Sequence, residues 1–336
     1  MNNTFLYIIT VLIWGSTWIA IKYQLGDVAP EASIVYRFSL AALILFAYCK
    51  FKGLRLHFSL RHHLQFFLFG VTLFSFNYYL LYSAQQHINS ALTCIAFSMI
   101  MFFNVFNARI WYGTKITKQV YLGGTLGLLG IITLFWPQIN DTELGRETLI
   151  GLGLCLTGTL FASTGNMLSM RNQKLKLPLM SANAWGMAYG AIFMALVAIV
   201  QGKSFTFDSS FSYVSSLLYL AIFGSVIAFG SYLTLLNRIG AHQASYASIM
   251  FPAVAVTIST FVEGFAWTAY TLTGLLFIVA GNLVVLTRAK KPVTIEVASE
   301  ANVDVDVDVN NAAVEESQEI KAFGNDSSTK LLKTDS

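Results

Sequence analysis

The sequence has 336 residues, 55% of them hydrophobic and 11% charged, with a mean hydropathy of +0.61. A soluble domain carries about 25% charged residues, so this composition excludes a water-solvated globule and requires lipid over much of the surface. The net charge of +4 sits in short loops between apolar runs, which excludes a nucleic-acid-binding face, and ten of the 17 acidic residues lie after Lys291.

A helix needs roughly 20 mostly apolar residues to cross a bilayer. Ten runs qualify: 4–23, 33–50, 62–82, 90–112, 117–136, 149–170, 179–200, 213–236, 243–262 and 269–287. The first lacks the basic leader and small-residue cleavage site of a signal peptide, so it reads as a membrane helix. No run alternates with period two, which selects helices over a β-barrel. Pro30 and Pro178 precede the second and seventh spans, and Pro137 and Pro292 follow the fifth and tenth. Pro252 falls inside the ninth, where a missing backbone donor predicts a kink. Lysine and arginine favour the cytoplasmic loops. Lys50, Lys52, Arg55 and Arg61, then Arg171, Lys174 and Lys176, mark one side, against Lys22, Arg37, Arg146 and Lys203 on the other. Both termini are therefore expected inside the cell. The segment from 289, with its Val303–Val309 alternation of valine and aspartate, is too polar to fold and reads as a disordered acidic cytoplasmic tail.

The two halves resemble each other. Tyr79 to Ala91 joins spans three and four, and Tyr232 to Ala244 joins eight and nine with a similar pattern. Gly123 to Gly130 repeats the spacing of Gly274 to Gly281. Five helices per half is an odd number, so the second half enters the membrane from the opposite side. The expected fold is all-α and integral to the membrane, with ten transmembrane helices in two inverted repeats, a plan shared by secondary transporters. The expected units are 1–136, an outer linker at 137–148, a second repeat at 149–288, and the tail.

Several motifs resemble the EamA-type transporters of the drug/metabolite transporter superfamily: Trp14-Gly15-Ser16-Thr17-Trp18, Pro30 to Arg37-Phe38, and the glycine-spaced fifth and tenth spans. The resemblance covers about 4–288. It implies a central cavity and export of metabolites. Two departures stand out. Members often carry Gly-Glu after helices four and nine, whereas this chain has Tyr112-Gly113 and the reversed Glu263-Gly264. The proline of helix nine is present as Pro252, and its first-half counterpart is Met99.

Helical spacing groups the polar side chains. Ser75, Tyr78, Tyr79 and Tyr82 share a face of span three beside Asn77. Asn104 and Asn107 share one in span four, Thr159, Ser163 and Asn166 one in span six, and Ser225, Phe229 and Tyr232 one in span eight. An amide facing lipid is costly, so these faces point inward, either to bond between helices or to line a cavity. Trp14, Arg37, Asn77, Tyr78, Tyr82, Asn104, Asn166 and Tyr232 are the candidate solute-binding residues. Trp14 lies mid-span, away from the interfacial belts where tryptophan is common. Arg37 lies a turn inside span two and either snorkels outward or receives an anionic solute. Lys22 is expected to snorkel, and Glu263 to sit at the outer rim.

Cys49, Cys94 and Cys155 lack disulfide or zinc spacing, and His57, His62 and His63 do not share a helix face. Gly123, Gly124, Gly127 and Gly130 lie in an apolar helix without a phosphate-loop lysine, so they read as helix-packing residues. No paired acids mark an intramembrane enzyme, and no cofactor or metal is implied. The expectation is a secondary transporter in a cell membrane, a bacterial inner membrane by resemblance, with a small solute and lipid as partners. A receptor or assembly partner is the alternative.

Overall fold

Backbone groups in hydrocarbon have no water to bond, so a spanning segment must pair them within itself as a helix. The computed structural model follows that rule throughout the residues it describes, which are 2–139, 145–232, 234, 235, 238 and 246–286. The chain runs through α1 (Asn3–Lys22), α2 (Pro30–Phe51), α3 (Leu60–Ala84), α4 (Ser90–Tyr112), α5 (Lys118–Ile139), α6 (Gly145–Lys174), α7 (Leu179–Val200), α8 (Phe211–Tyr232), α9 (Tyr246–Val262) and α10 (Ala269–Leu286). Among the described residues, eight of these are long and apolar enough to cross a membrane, and α9 and α10 contribute shorter apolar helices. The acidic tail lies outside the described residues.

Local chemistry sets the helix ends. The Asn89 side chain accepts from the Leu92 amide at 2.9 Å and caps α4, and the Ser210 hydroxyl accepts from the Tyr213 amide to cap α8. Pro30 occupies the first turn of α2, where its missing donor costs nothing. Gly113 after α4 and Gly264 after α9 both take left-handed backbone, at φ 67° and 66°. Only glycine does this without strain.

Four features differ from the sequence expectation. First, α3 and α8 each contain a π-helical stretch, Gly70–Phe76 and Leu220–Ile227. Second, α4 breaks between Phe97 and Ile100. There the Ser98 hydroxyl donates to the Ile95 carbonyl at 2.6 Å, and the Met99 amide reaches back only to Ala96. A serine competing for a backbone carbonyl tightens the turn. Third, α5 continues through Pro137 to Ile139, whereas Pro252 lies inside α9 as the sequence places it. Fourth, α6 begins at Gly145, inside the segment assigned to the linker.

The outer surface is apolar. Leu43, Ile192, Leu196, Ile199 and Leu276 all stand exposed, as lipid-facing residues must. Helices meet through small residues. A methyl built on Gly130 of α5 would lie 2.7 Å from the Gly274 carbonyl of α10, and one on Gly274 would lie 2.7 Å from the Gly130 carbonyl. Gly70 of α3 fits against Gly186 and Gly190 of α7. Gly165 of α6 faces Leu73 of α3, and Gly15 of α1 faces Val254 of α9. Helix α2 packs along α7, α1 along α9, and α4 along α6. Helix α3 packs on α6 and α7, as α8 packs on α1 and α2.

Gly130→Ala is expected to cost about 1–3 kcal/mol, because the new methyl meets backbone that no rotamer change can move. Gly153 has nothing within 4 Å of an added Cβ. Gly153→Ala should therefore be neutral or stabilising by up to about 1 kcal/mol. Thermal unfolding in detergent distinguishes the two; equal midpoints would contradict packing by close approach.

Candidate functional site

Burying polar groups inside a lipid-embedded bundle is costly unless they bond to each other or to a ligand. The polar faces of α1, α3, α4, α6 and α8 converge on one cavity of about 110 Å3. Six of the eight sequence candidates line it: Trp14, Asn77, Tyr78, Asn104, Asn166 and Tyr232. Arg37 and Tyr82 are not on its wall. They are buried together behind Tyr78, with the guanidinium Nη1 donating to the Tyr82 hydroxyl at 3.4 Å.

The wall has an amide side and an aromatic side. Asn166 Nδ2 donates to Asn104 Oδ1 at 3.2 Å, tying α6 to α4. One turn on, Asn107 Nδ2 donates to the Ser163 hydroxyl at 2.8 Å. Asn104 and Asn166 thus both bond between helices and line the cavity, so the two readings of these faces coexist. Asn77 donates to the Leu73 carbonyl, while its Oδ1 is buried without a protein partner among the described residues. Opposite, the Trp14 ring lies 5.0 Å from both Phe229 and Tyr232 and 5.6 Å from Phe251. Such centroid distances are those of favourable aromatic pairs. The Trp14 Nε1 donates to the Gly224 carbonyl at 3.2 Å, inside the π-helical stretch of α8. A π-helical turn shifts the carbonyl pairing, and such turns often occur at functional sites.

Arg37 does not snorkel. It is 1% exposed. Its Nε donates to the Ser225 hydroxyl at 3.1 Å, and its guanidinium carbon lies 4.5 Å over the Tyr78 ring and 5.0 Å over Phe38.

Sequence reasoning missed Thr17, Trp18 and Phe251 on the wall. Thr17 and Trp18 follow Trp14 by three and four residues, so the signal was present in helical spacing. It also missed Glu31, buried in the first turn of α2 with Oε2 lacking a partner among the described residues.

Two clasps lie towards opposite ends of the bundle. Past the end of α9, the Glu263 carboxylate takes Lys22 of α1 at 3.2 Å, the Ser259 hydroxyl at 2.5 Å, and the Ser90 hydroxyl at the start of α4. Lys22 is therefore paired. At the end of α4, the Tyr112 hydroxyl donates to the Met167 carbonyl of α6 at 2.8 Å, and Lys174 sits 3.9 Å over the Tyr112 ring.

A lipid-embedded helical bundle around an uncharged, aromatic and amide cavity is the architecture of a solute carrier. The EamA-like transporter family model matches the chain twice, over residues 3–136 and 149–287. The chain belongs to the EamA-like transporter family. The uncharacterized inner membrane transporter YedA of Escherichia coli K12 is 27% identical over 255 residues, covering 75% of this chain and 80% of that protein. The uncharacterized transporter YoaV of Bacillus subtilis is 24% identical over 258 residues, covering 76% of this chain and 87% of its own. A solved crystal structure shares the fold, with a TM-score of 0.64 at 16% identity over 86% of this chain and 99% of its own. This EamA-family chain is thus a multi-pass membrane transporter.

In the Glu263 clasp, burial raises the carboxyl pKa, but hydrogen bonds from Ser259, Ser90 and Lys22 outweigh it and hold it below the usual 4.5. A depressed folded-state pKa contributes stability above about 4.5 that is lost as pH falls through the lower value. Thermal midpoints of the wild type should fall between about pH 5 and pH 3. Glu263→Gln should melt about 2–4 °C lower at neutral pH and lack that acid-range slope. An unchanged slope in the variant would show that the clasp contributes nothing.

Proposed function

We propose that this chain is a secondary transporter that exports a small metabolite, an amino acid, a derivative or another amphipathic organic solute, by alternating access. The observation that carries the proposal is the cavity itself. Asn104, Asn166 and Asn77 offer hydrogen bonds while Trp14, Tyr78 and Tyr232 offer ring surface, which suits a solute with an apolar body and a polar handle.

In this reading ten helices cross the membrane as two inverted five-helix repeats, 1–136 and 149–288, with both termini in the cytoplasm of a bacterial inner membrane. Support comes from the doubled family match, from the π-helical stretches of α3 and α8, and from the left-handed glycines that end α4 and α9. The clasps of Glu263 with Lys22 and of Tyr112 with Lys174 occupy related places in the two repeats. Each closes one end of the path in turn as the repeats rock.

The test is untargeted metabolite profiling of medium from cells overproducing the chain, beside empty-vector cells and cells carrying Asn104→Leu. Specific compounds should accumulate outside with the intact protein. Asn104→Leu should reduce that accumulation roughly tenfold, the effect of about 1.4 kcal/mol from one lost polar contact. Identical media from intact and empty-vector cells would overturn export.

A further inference from the structure

An isolated charge inside a membrane protein is expensive, so its compensation should be identifiable. Arg37 is such a charge. It is 1% exposed, and among the described residues no carboxylate forms an ion pair with it: Glu263 takes Lys22, Glu147 takes His87, and Glu31, buried a turn and a half earlier on α2, does not reach it. Its partners are neutral: the hydroxyls of Ser225 and Tyr82 and the rings of Tyr78 and Phe38. Hydroxyls and rings orient a guanidinium without cancelling its charge.

That charge acts on the cavity through two wall residues. Tyr78 lines the cavity and lies 4.5 Å from the guanidinium carbon. On the α8 side, Ser225 accepts from Arg37 while its neighbour Gly224 accepts from Trp14, another wall residue. Among the 19 lining residues there is no aspartate, glutamate, lysine, arginine or histidine. No charge on the wall itself therefore opposes or screens the field of Arg37.

We propose that the solute carries an anionic group, a carboxylate foremost, seated on Tyr78 where the charge of Arg37, paired with no carboxylate among the described residues, attracts it. The proposal rests on the transport reading and names the class of solute carried. A group resting on Tyr78 lies roughly 8 Å from the guanidinium. At an effective dielectric of about 20, one unit charge there changes affinity about 30-fold, in favour of anions and against cations. The tyrosine ring keeps the guanidinium from closing directly on the carboxylate, which favours release as well as binding. Asn104 and Asn166 remain for the polar remainder of the solute, an ammonium included.

Proteoliposomes holding the full chain and loaded with a deproteinised bacterial cell extract provide the test. Compounds that leave faster than from protein-free liposomes are identified by mass spectrometry and sorted by the presence of an anionic group. The expected set carries one. Arg37→Gln lowers its release about 30-fold, and Arg37→Lys, which restores the charge, recovers most of it. Release of neutral or cationic compounds lacking an anionic group overturns the solute class and leaves transport standing. Anion release that is equal in Arg37→Gln and wild type also overturns it, and reduces Arg37 to a pin between α2, α3 and α8. Release of nothing beyond the protein-free control overturns the transport reading and this inference together. Should Arg37→Gln fail to fold, the sorting of wild-type compounds decides alone.

Discussion

The structure depends on how closely helix backbones can approach one another in lipid. Hydrocarbon supplies no hydrophobic drive between helices, so association rests on van der Waals contact and a few interhelical hydrogen bonds. Glycine permits the necessary approach. Gly130 and Gly274 meet with no side chain between them, Gly281 meets Gly123 and Gly127, and Gly70 meets Gly186 and Gly190. These contacts bind α5 to α10 and α3 to α7, first-half helices to second-half helices. The tight seams allow larger side chains elsewhere to stand apart and leave a cavity.

Within that frame the polar atoms are held in a state of partial satisfaction. Asn166 and Asn104 bond each other but retain capacity, and Asn77 keeps a side-chain carbonyl oxygen without a partner among the described residues. A fully satisfied wall would rigidify the bundle and have nothing to give a solute; a fully unsatisfied one would be too costly in lipid. The π-helical turn of α8 adds a second device. It turns the Gly224 carbonyl to Trp14 and presents the Ser225 hydroxyl to Arg37, so one irregularity fixes an aromatic wall and a buried charge together.

Much of this was legible in the sequence because helical periodicity constrains side chains strongly. A lipid-exposed asparagine is costly, so Asn104, Asn166 and Asn77 had to face inward, and they line the cavity. Arg37 was singled out by its depth, but its burial was not legible: whether a long stem snorkels depends on neighbours on α3 and α8, far away in sequence. The π-helical stretches left no trace in hydrophobicity, since Leu220–Ile227 is as apolar as any helical run. The break in α4 turns on one serine hydroxyl and carries no proline or glycine to announce it. Glu31 escaped notice because it precedes its apolar run by two residues, while the helix starts earlier, at Pro30.

The central claim is that the cavity opens to each side of the membrane in turn. Its most direct test uses a single cysteine at Asn104 in a chain whose Cys49, Cys94 and Cys155 are replaced by alanine, since these three are buried and free. A membrane-impermeant maleimide is applied to right-side-out and to inverted vesicles, each with and without the transported solute. Alternating access predicts labelling from both sides, with the ratio between sides shifted by solute. Labelling confined to one side and indifferent to solute would contradict it.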